Sequence, residues 1–560
     1  MPIDLMTPWG EELKNTGSAP WQVYPRPQLV RDSYVNLNGE WDFCVRPEAA
    51  IPGEYDHKIL VPFCPESQLS GLQLHPEDGN YLFYRRSFTL PEDFNRGRVL
   101  LHFGAVDQKA DIYVNQKHLC HHLGGYESFT VDITDALADE NELIVRALDD
   151  LRDQSQPYGK QTLKRGGMWY TPVSGIWQTV WLESVPESYI RRLNMEYDDY
   201  SVTISAEPAM EGIIRIPELG EFPLGSTITP ENPHLWSPED PYLYRFTVEC
   251  GEDRVESYFA IRSLVVQEID GYMRLCLNDK PYFFHGLLDQ GYWPDGLLTA
   301  PAPEAYAFDI MEMKRLGFNT LRKHIKVEPE QFYYDCDRLG MVVFQDMVNN
   351  GPYSFLRDTA LPTIGIQKLD DRNFHRNEKN RREFLRQMEN TVRQLKNHPC
   401  ICYWTIFNEG WGQFDSDSVC AKFRQLDDTR FIDSTSGWFR RRNTDVDSRH
   451  VYFKPVKLEA GEQALVLSEF GGYSYKPEGH VFNTEQTYGY GKFADEAAFA
   501  EAVEKLYRTE ILPAYEKGLC AAIYTQVSDV EDETNGLLSY DRKVCKLDEQ
   551  RMTAISKLFQ

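Results

Sequence analysis

Two glutamates stand directly after short apolar runs of the kind that form buried strands. Residues 400–407 are a continuous run rich in β-branched and aromatic side chains that leads into Asn408 and Glu409, and residues 464–468 lead in the same way into Glu469. Such runs indicate strands buried on both faces. Carboxylates at the carboxyl ends of parallel barrel strands occupy the edge where such folds keep their chemistry. A pair of them there is the minimal equipment for hydrolysis of a glycosidic bond.

A strand-then-helix rhythm from about residue 272 onward supplies the elements that would position this pair. The predicted strands are 282–285, 320–324, 341–344, 401–407, 431–433, 450–453, 464–468 and 521–525, and amphipathic helices are predicted at 303–316, 376–396 and 494–515. Eight strands alternating with helices over roughly 290 residues predict a (β/α)8 TIM barrel. Glu409 would then end the fourth strand and Glu469 the seventh. For Glu409 taken alone, a carboxylate that caps the following helix is an equally simple interpretation.

The chain before the barrel has the pattern of all-β structure. Residues 1–186 contain many short strands with period-two alternation and turn signals, which predict a β-sandwich. Residues 187–267 contain fewer strands and predict a second, smaller sandwich of immunoglobulin size. The barrel is assigned to residues 268–560. Several domains are expected because one hydrophobic core rarely grows beyond roughly 250–300 residues.

Composition excludes several classes of partner. The formal net charge of −27 argues against a nucleic-acid partner. No apolar stretch approaches the ~18 residues that a membrane span needs, so no membrane association is expected. The first residues lack the charged and apolar regions of a signal peptide, and the eleven cysteines have no framework spacing. These features predict a cytoplasmic protein with reduced thiols.

Further segments, taken in order, carry a resemblance to a known family. They are residues 37–41, 61–67, 174–180, 233–238, 277–281, 317–322, 408–409 and 468–471. Together they resemble glycoside hydrolase family 2, the group of β-galactosidases, β-glucuronidases and β-mannosidases. The resemblance implies a sugar-binding jelly-roll domain, an immunoglobulin-like domain and a catalytic TIM barrel. It also implies that Glu409 is the acid/base and Glu469 the nucleophile of a retaining exo-β-glycosidase.

Other polar and aromatic residues near the predicted strand ends are candidates for substrate binding. They are Asn408, Asp289, Trp293, Arg322, His324, Asp346, Tyr452 and Gln526. Asn408 is expected to donate to the sugar 2-hydroxyl. Tyr452 could donate to Glu469 and orient it, although a tyrosine satisfied within the core is an equally simple interpretation. Trp293 could stack on the apolar face of a sugar ring, although an exposed Trp-Pro turn could equally pack its own loop. No His, Cys or Asp cluster shows convincing ligand spacing, so neither a metal nor another cofactor is expected.

The identity of the sugar is the least determined property of the sequence. Residues 164–169 contain no acid where many family members have one, and no Asn-x-Lys motif follows Glu469, although the family's β-glucuronidases carry one. Arg322 and Lys323 should point to opposite faces of their strand, so at most one faces the barrel axis. A neutral sugar is therefore favoured, and β-galactosidase is the first choice because it is frequent in the family.

Two other functions stay open. The runner-up is a β-uronidase, either a β-glucuronidase or a β-galacturonidase, in which a cation binds the sugar carboxylate. The candidate cations are Lys164, Arg165, Lys323 and the run Arg440–Arg442. The third is a catalytically silent carbohydrate-binding protein on the same scaffold. In each case the expected partner is a small glycoside or oligosaccharide, and a homo-oligomeric state is left open.

Overall fold

The computed structural model describes residues 4–366 and 369–559, and its first unit is a β-sandwich. Its strands are Tyr34–Asn36, Gly39–Arg46, His57–Val61, Tyr81–Phe88, Arg98–Phe103, Val106–Asp107, Lys109–Val114, Lys117–Leu123, Phe129–Asp132, Asn141–Leu148, Gly175–Ile176 and Val180–Val185. A four-stranded and a six-stranded antiparallel sheet enclose one apolar core. In Lys109–Val114 every second side chain is buried, which is the alternation expected when one sheet face covers a core.

One N-terminal element departs from the all-β expectation. Residues Pro8–Thr16 form an α-helix that begins after Thr7, whose hydroxyl accepts from the amide of Gly10. The helix packs against a barrel loop, because Trp9 meets Trp293 edge to face at 6.4 Å. In the sequence this helix is marked only by Thr7-Pro8 at its start and Gly17 at its end. So short a pattern is easily overlooked in a region where strand patterns predominate.

The second unit is a smaller sandwich. Its two sheets comprise Arg192–Asp198, Ser201–Glu207 and Thr227–Ile228 in one, and Ile213–Ile216, Gly220–Pro223, Tyr244–Cys250 and Asp253–Phe259 in the other. The inward side chains of both sheets form a separate apolar core. A short antiparallel sheet of Leu264–Ile269, Tyr272–Leu277 and Lys280–Pro281 leads from it into the barrel.

The third unit is the predicted barrel. Its strands are β1 Phe284–Asp289, β2 Thr320–Lys323, β3 Val342–Asp346, β4 Ile401–Asn408, β5 Phe431–Ser436, β6 Val446–Val451, β7 Ala464–Gly471 and β8 Leu519–Thr525. Parallel neighbours follow the order β5-β4-β3-β2-β1-β8-β7-β6. All eight predicted strands are therefore confirmed, with ends shifted by a few residues. Every residue of β4 is buried, which explains its unbroken apolar run.

Helices cover the outside of the barrel and line its loops. The α-helices are Pro303–Arg315, Glu330–Leu339, Leu361–Thr363, Glu378–Leu395, Ser416–Leu426, Glu496–Leu506, Leu512–Glu516 and Glu549–Ser556. The 3-10 segments are Thr134–Ala136, Asp371–Asn373 and Lys557–Phe559, and the π-helical segments are Phe355–Ala360 and Tyr507–Ile511. Two further short strands are Tyr473–Ser474 and Gly491–Lys492. A π turn interrupts the helix predicted at 494–515, ahead of Pro513, which has no backbone N–H to continue the ladder. Within the described ranges, every helix is too short or too polar to cross a bilayer.

Candidate active site

Glu409 and Glu469 meet at the carboxyl end of the barrel. One carboxylate oxygen of each and a ring nitrogen of His450 all lie within 4.8 Å of one another. Glu409 follows β4 with a φ of 50°, a left-handed backbone conformation that is uncommon for a non-glycine residue and that often marks functional positions. A β-bulge in the pairing of β6 with β7 brings Glu469 opposite His450. The fold therefore places the two carboxylates face to face across a short gap.

Glu469 is surrounded by groups that favour its anionic form. The Arg322 guanidinium lies 3.0 Å from Oε1, and the Tyr452 hydroxyl donates to Oε2 at 2.6 Å. Burial by itself raises the pKa of this carboxyl, but the neighbouring His450 and Arg322, with the Tyr452 hydrogen bond, outweigh it and hold the pKa at about 2. Glu469 is therefore ionised at neutral pH, as a nucleophile must be.

Arg322 is the central cation of this arrangement. Its side chain points to the barrel axis, where it forms a two-point contact with Asp346 at 3.0 and 3.1 Å and donates to Asn408 Oδ1 at 2.9 Å. Burial raises the pKa of Asp346, but the charge of Arg322 and the hydrogen bond from His324 at 2.7 Å bring it down to about 2. With Asn408 Oδ1 occupied, its buried Nδ2 has no hydrogen-bond partner among residues 4–366 and 369–559 and stays available as a donor.

His450 was not among the predicted site residues, yet it touches both glutamates. Its Nδ1 lies 2.8 Å from Glu409 Oε1 and 3.5 Å from Glu469 Oε2, and its Nε2 lies 2.9 Å from the Ser436 hydroxyl. Gly437 leaves room for the ring, since a Cβ there would come within 2.7 Å of it. The sequence held a usable signal: His450 is two residues before Tyr452, so both point to the same face.

The far side of the pocket is formed by residues after β8. Gln526 Nε2 donates to Glu533 Oε2 at 3.1 Å and to Asn535 Oδ1 at 2.8 Å. The Tyr170 hydroxyl, from the N-terminal sandwich, donates to the same oxygen of Glu533. Gln526 thus holds Glu533 in place, and no strand-end signal pointed to Glu533.

A loop of the N-terminal sandwich, residues 158–174, reaches over the barrel. The Tyr158 hydroxyl donates to the Gly351 carbonyl at 2.8 Å, and the Thr171 amide donates to Glu531 at 2.8 Å. This sandwich loop carries Lys160, which is buried with its Nζ 5.0 Å from the ring centre of Trp411. Trp411 in turn lies near His324, with ring centres 6.4 Å apart. The pocket is therefore built jointly by the barrel and the sandwich.

Comparison with known families agrees with this architecture. Residues 270–464 match the model of the glycosyl hydrolases family 2 TIM barrel domain, residues 66–171 match the glycosyl hydrolase 2 galactose-binding domain-like model, and residues 199–262 match the glycosyl hydrolases family 2 model. The chain belongs to glycoside hydrolase family 2.

Individual family 2 proteins resemble the chain at low identity. A β-galactosidase of Thermoanaerobacter pseudethanolicus is 24% identical over 365 residues, which are 60% of this chain and 45% of that protein. A β-glucuronidase of Bacteroides fragilis is 23% identical over 414 residues, 67% of this chain and 56% of that protein. The chain thus spans about half the length of these curated relatives. Several further relatives are also named β-glucuronidases.

A solved structure shows the same fold over the whole chain. The β-glucuronidase of an uncultured Clostridium sp. superposes with a TM-score of 0.73 at 18% identity, covering 97% of this chain and 100% of that one. The predicted combination of two β-sandwiches and a TIM barrel is therefore confirmed.

Two predicted substrate-binding residues face away from the pocket of this family 2 protein. The Asp289 carboxylate lies 2.7 Å from Lys323 Nζ. Asp289 and Lys323 are also register partners in β1 and β2, so both side chains point to the outer face of the barrel sheet. Trp293 is buried against Trp9 and Tyr306, and its face is covered by Arg542 at 4.0 Å. The prediction that Asp289 and Trp293 line the sugar pocket is wrong, because strand alternation directs one outward and loop packing encloses the other.

The cations proposed as carboxylate clamps already have anionic partners or lie exposed. Lys323 contacts Asp289 and Glu328 and lies over Phe332 on the outer side of the barrel. Three arginines form ion pairs with carboxylates: Arg165 with Glu531, Arg440 with Asp447, and Arg441 with Asp417. The other two cations, Lys164 and Arg442, are exposed at the surface. None of these is a free cation inside the pocket. The buried Lys160 was not considered from sequence, where it stands in an unremarkable loop.

One cluster at the site has the composition of a metal site. Glu409, His450 and Glu469 each offer one ligand atom at mutual distances that a single ion could bridge. The same atoms are those that hydrolysis of a glycoside would require, so an ion there would compete with the substrate. The expected lack of a metal requirement stays a prediction.

Proposed function

We propose that this family 2 protein is a retaining exo-β-glycosidase that removes a terminal uronic acid from small β-glycosides. The observation that carries the hydrolytic part is Glu469, held ionised by Arg322 and Tyr452 directly across from Glu409. Carboxyl groups of retaining glycosidases lie about 5–5.5 Å apart, and the short gap here fits that class.

In the first step the Glu469 carboxylate attacks the anomeric carbon while Glu409 gives its proton to the departing glycosidic oxygen. The glycosidic bond breaks and an ester bond to Glu469 forms. In the second step Glu409 takes a proton from water, which attacks the same carbon and releases the sugar with its configuration retained. Asn408 contributes its free Nδ2 to the sugar 2-hydroxyl, a contact that strengthens in the transition state.

The choice of a uronic acid over galactose rests on the comparisons. Most of the similar curated proteins and the superposed structure are named β-glucuronidases, whereas one curated relative is named a β-galactosidase. The preference for galactose came from family frequency, from the missing Asn-x-Lys motif and from the expectation that at most one of Arg322 and Lys323 faces the barrel axis. The comparisons therefore favour the runner-up over the first choice.

A panel of nitrophenyl β-glycosides tests the proposal. We expect the β-glucuronide or the β-galacturonide to be cleaved with a kcat/KM at least about tenfold above the β-glucoside and β-galactoside, because a buried carboxylate is discriminated strongly from a hydroxymethyl group. Proton NMR of the first product formed should show the β-anomer. A preference for the β-galactoside would reject the uronide, and turnover that survives in Glu469→Gln would reject the catalytic assignment. Absence of turnover on every glycoside would favour the silent carbohydrate-binding protein.

A further inference from the structure

We propose that Lys160, supplied by the N-terminal sandwich, is the cation that binds the carboxylate of the uronic acid. This inference rests on the proposed function and adds the residue that selects the charged sugar. A uronide brings a carboxylate into a desolvated pocket, where leaving it unpaired would cost more than the hydroxyl contacts of the ring could offset. The pocket of a uronidase must therefore contain a cation that is free to pair with it.

Lys160 is a buried cation that lacks a protein anion. Its side chain is only 6% exposed, and no carboxylate of the described residues lies within 4.0 Å of its Nζ. Its Nζ lies 5.0 Å from the ring centre of Trp411 and 5.9 Å from that of Tyr170. Aromatic faces stabilise an ammonium group without neutralising it. Lys160 can therefore pair with an incoming anion.

Lys160 acts electrostatically on two residues near the reaction centre. Burial lowers the pKa of His324 to about 4 and raises the pKa of Glu533, and the Lys160 ammonium acts on both. His324 is hydrogen-bonded to Asp346 beside Arg322, and Glu533 lies within electrostatic range of Glu469. Trp411 joins Lys160 and His324 geometrically, because its ring centre lies 5.0 Å from Lys160 Nζ and 6.4 Å from that of His324.

The sandwich loop holds this lysine in a fixed position. Gly159 approaches the barrel so closely that a Cβ would lie 3.0 Å from the Ile325 carbonyl oxygen, and its φ of 63° suits glycine. The Lys160 carbonyl accepts from the Tyr170 amide at 3.0 Å, which closes the loop on itself. An ammonium group fixed before the substrate arrives loses little entropy on binding it.

The competing explanation is that Lys160 serves only to balance the charge of Glu533. In that case its loss would disturb Glu533 whichever sugar is bound, and charged and neutral glycosides would suffer alike. If Lys160 binds the uronate carboxylate, the loss falls on uronides alone. The two explanations therefore differ in selectivity, which is measurable.

The test compares Lys160→Met, which keeps the length and removes the charge, with Lys160→Arg and with Lys164→Met. Lys164 is an exposed lysine of the same loop and serves as the matched control. Each variant is assayed with nitrophenyl β-glucuronide, β-galacturonide, β-glucoside and β-galactoside, and binding of free glucuronate and glucose to Glu469→Gln, with and without Lys160→Met, is measured by calorimetry. We expect Lys160→Met to lower kcat/KM for the preferred uronide at least about 30-fold and to leave the hexosides within about threefold. Lys160→Arg should retain part of the uronide activity, and Lys164→Met all of it.

Each outcome decides between the claims. The role of Lys160 would be overturned if Lys160→Met lowered kcat/KM equally for uronides and hexosides. It would also be overturned if Lys160→Met weakened the binding of glucose as much as that of glucuronate. Unchanged uronide activity in Lys160→Met would overturn it as well, while the proposed uronidase function would stand. A parent enzyme that cleaves only neutral hexosides would instead refute the proposed function itself. The melting temperature of Lys160→Met shows whether this variant is folded. If it is not folded, Lys160→Gln is used in the same assays.

Discussion

Replacement of Arg322 by methionine should shift the acid limb of the pH–activity profile upward. Two basic side chains touch Glu469: the Arg322 guanidinium lies 3.0 Å from Oε1, and His450 Nδ1 lies 3.5 Å from Oε2. The difference between the ordinary value of 4.5 and the pKa of about 2 at Glu469 corresponds to roughly 3 kcal/mol of preference for the anion. Without the guanidinium, His450 and the Tyr452 hydroxyl still favour the anion, but burial is offset less completely and the pKa of Glu469 rises.

The sign of the pH effect follows from the lowered pKa. In the parent enzyme Glu469 is ionised at every pH above about 2, so its protonation should not limit kcat/KM between pH 4 and 7. In Arg322→Met the nucleophile is lost as the pH falls through the raised pKa, so the acid limb of kcat/KM should lie at a higher pH than in the parent. Arg322→Lys keeps the charge without the two-point fork and should give a limb between the two.

The assay is kcat/KM for the preferred nitrophenyl glycoside from pH 4 to 8, at constant ionic strength. Breaking a buried pair costs about 3–5 kcal/mol, so the melting temperature and circular dichroism of each variant must first show a folded protein. An acid limb at the same pH in the parent and in folded Arg322→Met would refute the electrostatic role given to Arg322.

Three further outcomes are expected. Glu469→Gln keeps the size of the nucleophile but not its charge, so kcat should fall by about three orders of magnitude or more, and a tenth of the parent rate would exclude Glu469. Glu409→Ala should impair substrates with poor leaving groups far more than activated aryl glycosides, and added azide should restore turnover with a β-glycosyl azide as product, whereas an α-azide would indicate inversion. Dialysis against EDTA should leave kcat unchanged, while Zn2+ should inhibit competitively by occupying Glu409, His450 and Glu469, and activation by a metal would contradict both expectations.

Much of the barrel was predictable because its strands are buried on both faces. A strand such as β4 must be apolar along its whole length, so its end is marked by the first polar residues, Asn408 and Glu409. Arg322 and Lys323 also followed the alternation of side chains on a strand, one toward the axis and one toward the helices. The same rule, applied to β1, would have directed Asp289 outward.

The remaining site residues depend on contacts between distant parts of the chain. Lys160 and Glu533 are in loops, and nothing local tells that the sandwich loop crosses the barrel or that Tyr170 reaches Glu533. Trp293 shows the converse, since an aromatic residue beside a strand end can be enclosed by an N-terminal helix 284 residues earlier in the chain. Loop positions are set by tertiary packing, which sequence pattern does not contain.

The sandwich loop has an evolutionary consequence. The two glutamates and Arg322 belong to the barrel, whereas residues 158–174 belong to the N-terminal sandwich, which has its own apolar core and contacts the barrel through this loop. Substitutions in that loop can alter which sugar is admitted without disturbing the groups that break the bond. After gene duplication, copies of such a protein can therefore diverge in sugar specificity while they keep the same catalytic residues.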